Sequence, residues 1–335
     1  MLKQLTVGTR GSKLAITQTE IVVRALRRLF PSIHFSVVTI KTKGDVDKRP
    51  LFTIDRKGIF EKEINDAVIT NNIDFAVHSL KDIPSDLPDV LTIASIPKRS
   101  KPNDVLVSYK KIRLKRLRPG AVIGTSSLRR AIQLIRLRSD LDVRPIRGNV
   151  ETRIGKTATG EYDGIILAEA GLIRLGLENS IVQRFSLRDF VPAPGQGSLA
   201  VICRTDNYEL IKLLKKIEDP QSRTEFEAEH ALLGRIEGGC RFPVGAVAVS
   251  YNSMPRTIRS SKNINKSPKT QVSSCISLNA SIFSADGTRC IRLRKRGDPR
   301  NARQLGLNMG ELLIKGGALD LAKGWREAVQ KWNRM

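Results

Sequence analysis

The chain has 335 residues, a formal net charge of +25, 40% apolar residues and only 5% aromatic ones. That length suits two or three domains rather than one small core, and no stretch approaches the ~18 consecutive apolar residues of a membrane helix. Four cysteines (Cys203, Cys240, Cys275, Cys290) without C-x-x-C spacing and three histidines (His34, His78, His230) predict neither a metal site nor a disulfide framework.

The first residues run straight into a strand pattern without a signal h-region, so a cytoplasmic protein is expected. Residues 4–8 read as a strand. Ser12 is placed to cap a helix to about residue 29, with Ile21, Val22, Leu26 and Leu29 on one face. Residues 34–40 are strand-like, 60–70 amphipathic, and 74–77 and 90–96 short strands. The alternation restarts with strands at 105–107 and 121–124, a helix at about 127–138 and a strand at 141–146. A helix after Gly148, a strand at 164–167 and a short helix near Leu172 complete that block. Such alternation predicts mostly parallel sheets covered on both faces.

Proline-rich runs at 97–102 and 192–197 read as linkers on either side of the second block. Two α/β lobes joined twice imply a cleft that can hinge. After residue 219 the pattern becomes a helix at about 220–235, β-rich runs at 244–250, 275–283 and 288–295, and two terminal helices. That is a separate α+β domain, with a Ser/Asn/Lys-rich insertion at about 251–274. The expected division is 1–97 with 198–216, then 103–191, then 220–335.

In open α/β sheets ligands bind at the carboxyl ends of strands, beside helix N-termini. The polar motifs fall there: Thr9 to Ser12, His78 to Asp82, Gly124 to Arg130, and Arg147 to Arg153. Each offers backbone N–H groups, small hydroxyls and cations, a receptor for carboxylates or phosphates built several times over. Neither G-x-x-x-x-G-K-[ST] nor G-x-G-x-x-G occurs, so nucleotide loops are not expected. Asp82 is the acid set beside Lys81 in these basic loops, suited to stabilise a cationic intermediate or relay a proton; as a plain loop residue before Pro84 it would only cap a turn. If residues 81 and 82 are extended, they face opposite ways. Cys240 sits at the tip of a Glu-Gly-Gly-Cys turn, where two glycines leave room for a bulky group on the sulfur. Residues 241–335 hold 18 Lys and Arg against 5 Asp and Glu. This excess reads as a solvated basic surface, attracting nucleic acid only non-specifically.

Together these motifs, with Thr42 to Asp45, Leu167 to Leu172 and Pro194 to Gly197, resemble the porphobilinogen deaminase (hydroxymethylbilane synthase) family across about residues 4–245. The resemblance implies two doubly wound domains like periplasmic binding proteins, joined at a hinge, plus a C-terminal α+β domain, in a monomer. It implies a transferase that condenses four porphobilinogen units head to tail, releasing ammonia and yielding linear hydroxymethylbilane for tetrapyrrole synthesis. It also implies a dipyrromethane cofactor on Cys240 through a thioether, and Asp82 as the catalytic residue that stabilises the cationic methylene-pyrrole left when ammonia departs. Cofactor contacts would come from Lys81, Thr125, Ser127, Arg129, Arg130, Gly171 and Gln196, and substrate contacts from Arg10, Ser12, Lys57, Arg147, Arg153 and Arg174. The chain departs from the family pattern at Thr53, Asp55 and Arg56, at His230 where arginine is usual, and in the length of the 251–274 insertion. A ligand-sensing module would share the two lobes, but would have no use for both Asp82 and Cys240.

Overall fold

In a computed structural model of the chain, the residues described are 3–46, 61–236, 244–252, 274–325 and 327–328. β1 (Gln4–Arg10) leads into α1 (Lys13–Leu29), where the Ser12 side chain accepts a hydrogen bond from the Ala15 amide at 3.3 Å. β2 (His34–Ile40), α2 (Lys43–Val46), α3 (Lys62–Ile69), β3 (Phe75–Ser79) and β4 (Leu91–Ser95) follow. The chain then crosses to a second lobe of β5 (Asp104–Val107), β6 (Val122–Gly124), α4 (Leu128–Leu137), β7 (Asp142–Arg144), α5 (Val150–Ala158), β8 (Gly164–Ala168), α6 (Glu169–Leu175) and β9 (Ile181–Arg184). It returns through β10 (Leu199–Arg204) and α7 (Tyr208–Leu214). A C-terminal domain comprises α8 (Pro220–Ile236), β11 (Val244–Asn252), β12 (Ser274–Phe283), β13 (Cys290–Gly297), α9 (Ala302–Lys315) and α10 (Ala318–Ala322).

Both lobes carry a five-stranded sheet, ordered β2-β1-β3-β10-β4 and β7-β6-β8-β5-β9. These sheets are mixed, where mostly parallel ones were expected. β10 runs antiparallel to β3 and β4, and β5 antiparallel to β8 and β9. Each reversed strand is the one that enters its lobe directly from a linker. The chain arrives at the cleft edge, where the neighbouring strands end, and so must run the other way.

Burial of the first sheet on both faces explains why Phe75, Ala76 and Val77 are all buried despite alternating sides. Val22, Val23 and Leu26 of α1 pack on one face with Leu210 of α7, and Ile64 and Val68 of α3 on the other. Ile21 and Leu29, expected on the inner face of α1, are 39% and 52% exposed. Ile21 lies about 100° round the helix from Val22, and Leu29 ends it. In the C-terminal domain, α8 and α9 cover one face of an antiparallel β11-β12-β13 sheet through Ala228, Leu232, Leu278 and Met309. No helix among the described residues is long and apolar enough to cross a membrane.

Candidate active site

β1, β3, β6 and β8 all end at the cleft between the lobes, and the polar loops follow from there. The main cavity, about 580 Å³, is lined by Arg10, Ser12, Lys81, Arg130, Arg147 and Arg153, with Gly171 in its wall. Asn149 caps α5 by accepting the Thr152 amide at 2.8 Å, and Gly148 before it has φ +114, which a side chain would strain. That turn aims Arg147 and Arg153 inward, and Arg153 Nε donates to the Gly148 carbonyl at 2.7 Å.

Lys81 and Asp82 do not lie in an extended segment. Leu80–Asp82 is one 3-10 turn, closed by the Ile83 amide donating to the Leu80 carbonyl at 3.1 Å. Both residues therefore line one small cavity of about 110 Å³, together with Arg10 and His78. The tightness of that turn depends on Gly195 of the second linker, with φ +71, where an added Cβ would stand 3.0 Å from the Lys81 nitrogen.

The cations of the cleft are held against their own solvation. Burial pushes the Arg153 pKa down to about 10, with Arg130 and Arg147 adding repulsion. Burial does the same to Arg174. Lys81 opens onto the cleft, yet the surrounding protein strips enough water to lower its pKa; Asp82 and Asp104 oppose that shift, and Arg130 and Arg129 add to it. Glu151 is the acid lining the main cavity, and it pairs with Lys13 at 3.2 Å. A ligand bearing several carboxylates would relieve this excess of positive charge, so the residues present fit a dipyrromethane with its acidic arms.

Several expected ligand-binders face the protein instead. Arg129 and Arg130 stand in the first turn of α4, where the helix dipole disfavours cations. Both close on the buried Asp104: Arg129 Nη1 lies 2.8 Å from Oδ2, and Arg130 Nε donates to Oδ1 at 2.9 Å. Burial alone would raise the Asp104 pKa, but the two arginines and Gln196 bring it below the usual carboxylate range. Arg130 still reaches the cavity wall, whereas Arg129 donates to the Val191 carbonyl at 2.6 Å. Gln196 ties the linkers together, donating to Pro102 O at 2.7 Å and Asp104 Oδ1 at 3.0 Å. Arg174 donates to the Gly197 carbonyl at 2.6 Å, and the Thr125 hydroxyl accepts the Ser127 amide at 3.2 Å; none of these three lines the main cavity.

A buried acid that the sequence reading passes over, Glu229 of α8, holds the C-terminal domain to both linkers. It accepts from Arg99 at 2.7 Å, from the Gly195 amide at 2.6 Å and from the Ala248 amide at 2.7 Å. Its signal in the sequence is an acid four residues after Glu225 on an otherwise half-apolar helix. His230, beside it, packs on Phe226 with ring centroids 4.8 Å apart and lines a further cavity of about 190 Å³ with Lys81. Burial lowers the His230 pKa, against the Ser85 backbone contact. Cys240, Lys57, the Thr53, Asp55 and Arg56 departures and most of the 251–274 insertion lie outside the described residues.

Comparison with known proteins supplies a family. Residues 5–212 match the family described as "Porphobilinogen deaminase, dipyromethane cofactor binding domain", and residues 223–315 match "Porphobilinogen deaminase, C-terminal domain". A protein of Nitrosopumilus maritimus named "Probable porphobilinogen deaminase" is 48% identical over 98% of this chain and 98% of its own. The porphobilinogen deaminase of Thermus thermophilus is 41% identical over 96% of this chain and 99% of its own. Among solved structures, the methionine-binding protein MetQ aligns with a TM-score of 0.43 at 12% identity, covering 64% of this chain and 89% of that one.

Proposed function

Because the chain belongs to the porphobilinogen deaminase family, we propose that its cleft condenses four porphobilinogen units head to tail on a dipyrromethane joined to Cys240 by a thioether. The observation that carries this reading is the cluster of Arg10, Lys81, Arg130, Arg147 and Arg153 around one cavity, with Asp82 on the same turn as Lys81. When bound, the dipyrromethane supplies the primer to which the first unit is joined. Arg10, Arg147 and Arg153 hold the carboxylate arms, and Ser12 adds a hydroxyl donor. Asp82 meets the pyrrole N–H of the unit losing ammonia and stabilises its developing positive charge.

We assign three domains, 1–97 with 198–216, 103–191 and 220–335, a division supported by an apolar core on each sheet, the C-terminal one also taking in Ile132 of α4. A cytoplasmic location is in keeping with Cys203, Cys275 and Cys290 being free thiols, and we propose a monomer. Attachment at Cys240 is favoured by the fate of the others: burial pushes the Cys203 thiol up to about 12 and raises that of Cys290 as well. The intact mass of the purified protein should exceed the sequence mass by one dipyrromethane. Cys240→Ser should lose both that mass and porphobilinogen consumption, while Cys275→Ser and Cys290→Ser keep both. Wild-type protein of unmodified mass that leaves porphobilinogen untouched would refute the reading.

A further inference from the structure

The 110 Å³ cavity at the carboxyl end of β3 differs in charge from the larger one beside it. Asp82 and Glu61 both line it, against Arg10 and Lys81, which also line the larger cavity. The larger cavity has Arg130, Arg147 and Arg153 in addition, and one acid already paired with Lys13. Acidic arms thus belong in the large cavity, and a cationic group is accommodated only in the small one. Its volume of about 110 Å³ suits a group of a few atoms.

Most polar walls of this small cavity are already engaged. Gln18 Nε2 donates to Ser79 Oγ at 2.9 Å, and Ser12 accepts the Ala15 amide. His78 is not among them. It is 6% exposed, and its Nε2 has no hydrogen-bond partner among the described residues. A buried nitrogen left so carries a desolvation cost that a ligand would remove. Burial, reinforced by Arg10, pushes its pKa down to about 4, so the ring is neutral near pH 7. A neutral imidazole can offer a lone pair to a cation without repelling it.

We propose that this cavity receives the aminomethyl group of porphobilinogen, and that His78 Nε2 accepts a hydrogen bond from its ammonium. The inference rests on the function proposed above. As the C–N bond breaks, its electron pair goes to nitrogen, the ammonium leaves as neutral ammonia, and the positive charge passes to the methylene-pyrrole facing Asp82. His78 takes no proton in this step. It holds the departing nitrogen in line, while the arginines of the larger cavity hold the arms.

His78→Phe keeps an aromatic ring and removes the acceptor, whereas His78→Gln restores a polar one. In protein whose mass includes the bound dipyrrole, His78→Phe should lower kcat roughly tenfold or more, with KM for porphobilinogen within about threefold of wild type. His78→Gln should recover part of that loss. In ¹⁵N-histidine-labelled wild type, added ammonium chloride should shift the His78 ring resonance, and Asp82→Asn should weaken the response. A folded, loaded His78→Phe enzyme with kcat within twofold of wild type overturns the proposal, as does a His78 resonance indifferent to ammonium. Failure of the functional reading would show separately, as wild type that consumes no porphobilinogen, and would remove this proposal with it.

Discussion

Asp82 shares a single 3-10 turn with Lys81, and among the described residues its side chain accepts no hydrogen bond. A capping residue would hold a backbone amide, so the turn gives that alternative no support. Charge is what remains to explain an acid at this point. Asp82→Asn should keep the bound dipyrrole and the fold yet lose about a hundredfold or more in turnover, while Asp82→Glu, which moves the charge by one methylene, keeps partial activity. Steady-state porphobilinogen consumption by the two variants checks this, and near-normal turnover in Asp82→Asn would remove the catalytic role. The cations around Asp82 are legible in the sequence because each follows a strand. Which of them meet ligand is not. Arg129 and Arg130 look equivalent in the Leu-Arg-Arg run, and Asp104, some 25 residues earlier in the chain, engages both, yet only Arg130 lines the cavity while Arg129 turns to the Val191 carbonyl. A lone acid opening an apolar strand gives no hint of partners that only the folded sheet brings near.

Elements were easier to read than their directions. Periodicity alone places α1, α4 and most strands to within a few residues, since half-buried helices and fully buried strands carry their burial in their composition. The reversal of β5 and β10 is a consequence of connectivity, invisible to any local pattern. The linkers feeding those strands also shape the site, and Gly195 tests how closely. Its φ of +71 disfavours any side chain, and a Cβ there would press on backbone atoms of Leu80 and Lys81 at 3.1 and 3.0 Å. Gly176 has a similar φ of +68 with nothing within 4 Å, so it isolates the conformational cost. Gly176→Ala should cost about 1 kcal/mol and leave turnover intact. Gly195→Ala should cost more, by roughly 1–3 kcal/mol, and impair porphobilinogen consumption by displacing the Lys81–Asp82 turn. Equal losses of melting temperature and activity in the two variants would mean that the linker does not set the turn.

At the scale of the whole molecule, the net charge of +25 favours capture of a polyanionic chain, but the C-terminal domain must also be held against the two lobes. Glu229 is the fastening. Its carboxylate is fully buried, and it joins Arg99 of the first linker, the amide of Gly195 in the second and the amide of Ala248 in β11. Burial would lower the Arg99 pKa, yet Glu229 and then Glu225 hold it above its ordinary value; burial in turn raises that of Glu229. Removing one member of such a buried pair strands the other, at a cost of about 3–5 kcal/mol. The chain's two tryptophans, Trp325 and Trp332, both fall late in the sequence, and Trp325 is buried in the C-terminal core with its Nε1 donating to the Phe283 carbonyl at 2.9 Å. Tryptophan fluorescence therefore follows that domain, while far-UV circular dichroism follows the whole chain. In urea, the two signals should move together in wild type. In Glu229→Ala the fluorescence transition should shift to lower urea and separate from the dichroism, because the C-terminal domain has lost its anchorage to the linkers while keeping its own core. Coincident transitions at the wild-type midpoint would show that the apolar contacts between α8 and the lobes suffice without the buried charge.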